Sequence, residues 1–133
     1  MTTVVDASVA AQWVLNEPSS GRALALRDET ALIAPSLIAS EIGSALWKAV
    51  RRGAVQSADA IAAINNILIP FDALIPIEDL RSRALEFAIE LNHPIYDCFY
   101  LALAERERCP LVTADKRLMA AAKKIKRIEV RAL

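Results

Sequence analysis

Glycine, histidine and cysteine are scarce in this 133-residue chain, and each shortage excludes a class of site. The three glycines are not spaced as in the loops that bind a dinucleotide or a nucleoside triphosphate. A single histidine, His93, cannot supply a three-histidine zinc site, and we interpret it as a structural or surface residue. The two cysteines, Cys98 and Cys109, form no C-x-x-C pair, so they are predicted to be reduced, buried thiols.

Aromatic residues and long apolar runs are also few. Only 5% of the residues are aromatic, which leaves little for the base-stacking platforms of single-strand binding folds. The longest uncharged run, residues 60–71, includes two asparagines and a proline and is shorter than the roughly 18 apolar residues that span a bilayer. The first residues lack the basic stretch of a secretion signal. We therefore expect a cytoplasmic protein with no membrane association.

Acidic and basic residues balance over the whole chain, with 16 of each, but they are unevenly distributed. Seven of the basic residues lie within residues 115–133, against only two acidic ones. A basic segment of this kind is as typical of a solvated helix face as of a surface that binds phosphate.

Short runs rich in Val, Ile and Leu alternate with stretches of helical periodicity. Strands are predicted at residues 3–6, 32–35, 73–77, 111–113 and 129–132. Helices are predicted at residues 9–15 (with Ser8 as N-cap), 22–27, 36–52, 57–69, 79–91, 97–108 and 116–125. Strands separated by helices indicate right-handed crossovers. We expect one domain over residues 1–133, a three-layer α/β/α sandwich with a short, mainly parallel five-stranded sheet.

Four acidic residues are predicted at one edge of this sheet. Asp6 ends the first strand and Asp115 follows the fourth, while Glu41 and Asp97 lie early in the helices after the second strand and before the fourth. Each aspartate alone is explained by helix capping. Glu41 is not, because its neighbours mark the buried side of its helix and the next basic residue, Lys48, is two turns away.

Four carboxylates in one cleft repel one another, and a divalent cation removes that cost. Oxygen ligands without imidazole or thiolate favour Mg²⁺ or Mn²⁺. A carboxylate site of this type is suited to phosphodiester chemistry. The pattern therefore predicts a magnesium or manganese site.

Four motifs in this order resemble the PIN domain, and in particular the VapC toxins of type II toxin–antitoxin systems. They are V-V-D-A-S at 4–8, P-S-L-I-A-S-E-I at 35–42, Y-D-C-F-Y-L-A-L-A at 96–104 and L-V-T-A-D-K-R-L at 111–118. The resemblance covers nearly the whole chain. It implies a PIN-like fold, a metal-dependent endoribonuclease, a homodimer, and a VapB-type antitoxin whose tail occupies the toxin's groove. It maps the four acids onto the family's acidic quartet, and Ser8 and Thr113 onto its polar supports.

Our hypothesis is that Asp6, Glu41, Asp97 and Asp115 hold one or two Mg²⁺ or Mn²⁺ ions and hydrolyse RNA with a metal-activated water. Ser8 and Thr113 would orient the carboxylates as hydrogen-bond donors. Lys116 or Arg117 would offset charge on the substrate phosphate. The RNA that is cleaved remains open, since no motif encodes base recognition.

Two alternatives compete with this hypothesis. A phosphohydrolase or receiver-like domain would also use an acidic pocket and Mg²⁺, but the D-x-D-x-T motif is absent and no Asp ends the second or third strand. A non-catalytic binding module would use the acids only as helix caps, which leaves Glu41 unexplained.

Residues 36–52 and 57–69 are rich in apolar residues and include Trp47, so we expect a two-fold dimer through these helices.

Overall fold

Five parallel strands form the centre of the computed structural model, which describes residues 1–133. The strands are β1 (Thr2–Val5), β2 (Ala31–Pro35), β3 (Phe71–Ile75), β4 (Leu111–Thr113) and β5 (Val130–Ala132). Their order across the sheet is β3-β2-β1-β4-β5, and every neighbouring pair is parallel. The predicted five-stranded α/β fold is confirmed.

Seven helices connect and cover the strands. They are α1 (Ala7–Ala10), α2 (Ser20–Glu29), α3 (Ile38–Arg51), α4 (Ser57–Asn66), α5 (Arg81–Leu91), α6 (Ile95–Glu107) and α7 (Lys116–Ala122). Short 3₁₀ turns follow α1 at Ala11–Trp13 and precede α5 at Ile77–Asp79. None of the helices combines the length and apolar composition needed to cross a bilayer.

The sheet is buried on both faces because successive strand residues point in opposite directions. Val4 belongs to the larger apolar core, together with α3, α5, α6 and α7. Val5 belongs to a smaller core on the other face, where it meets Val9 of α1 and Ala23 of α2. Both valines are fully buried. The helices therefore form the two outer layers of the predicted sandwich.

Two helices pack differently on the larger core. Helix α3 buries a single stripe, Ile38, Ile42, Leu46 and Ala49, and exposes its other side. After α3, Gly53 adopts the left-handed conformation that glycine accepts without strain, with φ of 76°. Helix α6 has seven consecutive buried residues, from position 98 to position 104, as expected for a helix enclosed by neighbouring elements.

Several predicted boundaries are wrong, and three of them have a clear physical reason. Strand β3 begins at Phe71 rather than at residue 73, since the Asp72 carboxylate accepts from the backbone N–H of Leu32 (3.0 Å) where the register shifts. Ser8 does not cap the first helix, because that helix begins at Ala7 and has Asp6 as its N-cap. Asp97 does not open α6, which follows Pro94 and begins two residues earlier than predicted.

The other helices differ mainly in length. The first helix, predicted over 9–15, is a single α-helical turn from residue 7 continued by the 3₁₀ turn. Helix α2 is longer than the predicted 22–27, and the helices predicted over 36–52, 57–69 and 116–125 are shorter. The stretch predicted as a helix over 79–91 begins with a 3₁₀ turn. Helix ends depend on single hydrogen bonds, so they vary more than helix centres do.

Candidate active site

Asp6 occupies the turn between β1 and α1, at the carboxyl edge of the sheet. It is the N-cap of α1, and its Oδ1 accepts from the backbone N–H of Val9 at 3.2 Å. Two hydroxyl groups donate to the same carboxylate: Ser8 Oγ to Oδ1 at 2.5 Å, and Thr113 Oγ1 to Oδ2. The residue is only 4% exposed. Asp6 is therefore a buried carboxylate held by neutral donors.

Ser8 and Thr113 also connect the loop after β4 to this turn. The backbone N–H of Ala114 donates to Ser8 Oγ at 2.9 Å, and that of Asp115 donates to Thr113 Oγ1 at 3.0 Å. Each hydroxyl therefore accepts from the β4–α7 loop while it donates to Asp6. These bonds hold the ends of β1 and β4 together around the carboxylate.

Asp115 caps helix α7. Its Oδ1 accepts from the backbone N–H groups of Arg117 at 2.8 Å and Leu118 at 3.3 Å. It lines a groove of about 440 Å³ together with Lys116 and Lys123, whereas Arg117 is exposed and does not line it. Of the three predicted aspartate caps, those at Asp6 and Asp115 are present and the one at Asp97 is not.

Glu41 has a neutral partner that sequence reasoning missed. Tyr100 of α6, which is 1% exposed, donates its hydroxyl to Glu41 Oε1 of α3 at 2.5 Å. Tyr100 follows Asp97 by three residues, and that spacing on a helix was the available signal that both side chains share one face. No basic side chain pairs with Glu41, as the sequence indicated.

Asp97, in the first turn of α6, is paired with the only histidine in the chain. The distance between His93 Nε2 and Asp97 Oδ2 is 2.6 Å, and the His93 side chain is only 9% exposed. The sequence indicated a structural or surface role for His93, without a partner. The spacing of four residues was the available signal for this pair, but Pro94 lies between the two residues and interrupts a continuous helix.

The pKa values of Asp6 and Glu41 are raised by burial, and the charge of Asp97 contributes to both shifts. Burial, together with the charge of Asp97, raises the pKa of Asp6 to about 6 against the lowering effect of its hydrogen bonds. Burial also raises the pKa of Glu41; the Tyr100 hydrogen bond opposes this rise, while the charges of Asp97 and Asp6 add to it. Asp115 is not among the causes of either shift.

Hydrogen-bond donors rather than cations surround this acidic cluster. No Lys or Arg forms a salt bridge with any of the four acids. As placed, no three His, Cys, Asp or Glu side chains lie close enough together to coordinate one ion. Glu41 Oε2 and Asp97 Oδ1 have no protein hydrogen-bond partner. The donor set, carboxylate and hydroxyl oxygens, is the type that hard divalent cations prefer.

Comparison with known proteins identifies relatives of this chain. The family model described as PIN domain matches residues 3–124. The chain is 38% identical over 115 residues to Ribonuclease VapC9 of Mycobacterium tuberculosis, covering 86% of this chain and 87% of that protein. It is 34% identical over 121 residues to Ribonuclease VapC3 of Pyrobaculum aerophilum, covering 89% and 92%. The crystal structure of VapBC2 from Rickettsia felis bound to a DNA fragment from their promoter matches the fold with a TM-score of 0.73, at 14% identity and over 100% and 99% of the two chains.

Proposed function

The chain belongs to the PIN-domain family, alongside the VapC ribonucleases, and on this premise we propose that it is a cytoplasmic, Mg²⁺- or Mn²⁺-dependent endoribonuclease. We further propose that it is the toxin of a VapBC-type toxin–antitoxin pair. Relatives that are 38% and 34% identical over most of their length carry the name Ribonuclease VapC, which supports the activity and the pairing.

One observation carries the metal dependence: Asp6 is buried beside other acids with no basic partner. An ionised carboxylate in this position is costly unless a positive charge lies nearby. The chain supplies only hydroxyl and backbone donors to Asp6, and its pKa is raised rather than lowered. A divalent cation supplies the missing charge.

The side-chain groups that donate to the acids are hydroxyls and one imidazole: Ser8 and Thr113 at Asp6, Tyr100 at Glu41, and His93 at Asp97. Asp6, Glu41 and Asp97 would hold the ion, and Asp115 would join them directly or through water. When bound, the cation supplies an activated water for attack on phosphorus.

The chain's own residues have separate tasks in this reaction. Ser8 and Thr113 fix the orientation of the Asp6 carboxylate through their hydroxyl groups. Lys116 and Lys123 line the groove beside Asp115 and are exposed, so they are available to a substrate phosphate. Of the two basic residues predicted for this contact, Lys116 is favoured over Arg117 because only Lys116 lines the groove.

Cleavage of RNA by the pure protein tests this function. We expect cleavage with Mg²⁺ or Mn²⁺, little with Ca²⁺ and none in EDTA. The products should carry a 5′-phosphate and a 3′-hydroxyl and no cyclic phosphate, since the proposed nucleophile is water rather than the RNA 2′-hydroxyl and the 3′-oxygen is the leaving group. A 2′-deoxy nucleotide 5′ of the scissile bond should slow cleavage only modestly. Cyclic phosphate ends, or full activity in EDTA, would contradict the metal-dependent mechanism.

A homodimer is the proposed assembly, and two exposed apolar faces are available for it. The predicted face lies on α3 and α4, where Trp47 is 57% exposed beside an apolar groove of about 280 Å³ that includes Leu46 and Ile61. Leu85 and Ile89, four residues apart on α5, form a second exposed apolar surface, the α5 face, which the sequence did not indicate. Exposed apolar surface of this kind is typical of interfaces.

Light scattering of two matched variants locates the dimer interface. If the dimer forms through α3 and α4, Trp47→Glu yields a monomer at micromolar concentration and Ile89→Glu leaves the dimer intact. The reverse result would assign the dimer to the α5 face. Binding of a VapB-type antitoxin to each variant then shows which face the antitoxin needs.

A further inference from the structure

We propose that His93 is a positioning residue that holds the Asp97 carboxylate in the orientation required for binding the divalent cation. This inference rests on the proposed function, and it assigns a role to a side chain that lies outside the acidic quartet. It begins from a contact within the chain: Nε2 of the only histidine lies 2.6 Å from Asp97 Oδ2.

The α5–α6 connection fixes the backbone of His93. Helix α5 ends with Asn92 in the left-handed conformation, with φ of 50° and ψ of 52°. The backbone N–H of His93 then bonds to the carbonyl oxygen of Ala88 at 3.1 Å. Pro94, whose ring restricts φ, is the N-cap of the next helix, α6. His93 is therefore confined between two helices, with its ring directed to the first turn of α6.

The hydrogen bond restricts Asp97 in a specific way. A carboxylate accepts only, so Nε2 is the donor, and the bond is charge-assisted. It occupies Oδ2 and leaves Oδ1 without a protein partner. Asp97 is the acid whose charge raises the pKa of both Asp6 and Glu41. Without the bond, repulsion from these two acids would turn the Asp97 side chain, which is 24% exposed, toward solvent.

A ring that is 91% buried beside one carboxylate is better placed to orient that carboxylate than to exchange protons with a substrate. The two roles make different demands on the side chain, because orientation needs only an N–H donor at the Nε2 position. The amide nitrogen of a glutamine reaches a similar distance from the backbone, but it does not take up or release a proton near neutral pH.

Nuclear magnetic resonance of the metal-free, ¹⁵N-labelled protein tests the contact. Since the chain has one histidine, its imidazole signals need no assignment. We expect a slowly exchanging Nε2 proton in the wild-type protein and its loss in Asp97→Ala. An Nε2 signal that is the same in both proteins would contradict the pairing.

Calorimetric titration with Mn²⁺ and RNA cleavage then test the role. His93→Ala should weaken Mn²⁺ binding by about 10- to 100-fold, the usual cost of losing a hydrogen-bond partner of a metal ligand. His93→Gln should restore most of the affinity and of kcat. Glu90→Ala, an exposed change at the end of α5, serves as the control and should match the wild type. Thermal unfolding checks that each variant is folded.

Three outcomes separate this inference from the proposed function. A wild-type protein that binds no Mn²⁺ and cleaves no RNA contradicts the proposed function. A wild-type protein that binds Mn²⁺, with His93→Ala binding equally well, contradicts only the role of His93. A folded His93→Gln variant as defective as His93→Ala shows that the ring itself is required, and also overturns the positioning role.

Discussion

The two ends of helix α6 hold acids in opposite electrostatic environments. Near its start, Asp97 lies with Asp6 and Glu41, and no Lys or Arg pairs with any of them. Near its end, Glu105 is bound by Arg83 and Arg127. Burial raises the pKa of Asp6 to about 6, whereas hydrogen bonds from Arg83 and Arg127 lower the pKa of Glu105 to about 2.

Both carboxylate oxygens of Glu105 are paired with arginine side chains. Arg83 contacts both oxygens of Glu105, with Nε at 2.7 Å and Nη2 at 2.9 Å, and Arg127 adds a third contact at 2.7 Å. Both guanidinium groups also lie over the ring of Phe87, at 4.0 and 5.4 Å from its centre. This cluster ties α5, α6 and the segment before β5 together.

Two arginines therefore pair with Glu105, whereas no Lys or Arg pairs with the acids at the sheet edge. With 16 basic residues in the chain, basic side chains are not in short supply. Under the proposed function, a divalent cation supplies the positive charge that the chain does not place beside the acids at the sheet edge. The predictions below test this difference.

The largest expected difference between Asp6 and Glu105 is in their effect on catalysis. Asp6→Asn should abolish RNA cleavage because it removes a proposed metal ligand, and it should leave the melting temperature equal or higher in metal-free buffer because it removes a repelling charge. Glu105→Gln should leave cleavage unchanged. A gel assay of RNA cleavage with both purified variants measures the effect. Retained cleavage by a folded Asp6→Asn protein would mean that this acid is not part of the site.

The two acids should also respond to pH in opposite directions. The folded-state pKa of Asp6, about 6, is above its ordinary value of 3.8, so its contribution to stability is present below about pH 4 and is lost as the pH rises to about 6. The full loss in the free energy of unfolding is on the order of 3 kcal/mol. The pKa of Glu105 is lowered, so its contribution is present above about pH 4.5 and is lost as the pH falls.

Urea unfolding of metal-free protein measures both effects. Between about pH 4 and pH 6, the wild type should lose stability relative to Asp6→Asn. Below about pH 4.5, it should lose its advantage over Glu105→Gln. Parallel curves for the wild type and Asp6→Asn would show that Asp6 has an ordinary pKa and would remove the contrast between the two ends of α6.

The smallest expected effect is on stability at neutral pH. Glu105→Gln should lower the free energy of unfolding by about 1 kcal/mol, since the pairs are partly exposed and solvent screens them. The loss should shrink in high salt. Thermal unfolding at low and high salt measures it. A loss that did not depend on salt would assign the role of Glu105 to packing rather than charge.

Much of the fold was predictable because strand and helix periodicity depend on local sequence. The five strands and their parallel arrangement follow from short apolar runs separated by helices, and the positions of Asp6 and Asp115 follow from the strands that they succeed. The partners of the acids were not predictable in this way. Tyr100 and His93 reach Glu41 and Asp97 through the packing of α3, α5 and α6, which no single segment encodes.

Errors at element boundaries have the same origin. Aspartate disfavours strands, yet Asp72 lies in β3, where its carboxylate accepts a hydrogen bond from the backbone N–H of Leu32, 40 residues away in sequence. Asp is common at helix N-caps, which favours Asp97 as a cap, yet α6 begins earlier, at Ile95, with Pro94 as its N-cap. In both cases a tertiary contact or a backbone restriction outweighs the local preference.

The pH dependence of wild-type stability, measured with and without Mn²⁺, tests the central claim most directly. In metal-free buffer the melting temperature should fall between about pH 4 and pH 6, relative to Asp6→Asn, as the Asp6 carboxylate ionises. With saturating Mn²⁺ it should rise over the same interval, because only ionised carboxylates bind the metal. The same fall with and without Mn²⁺ would contradict the claim that these acids are arranged for a divalent cation.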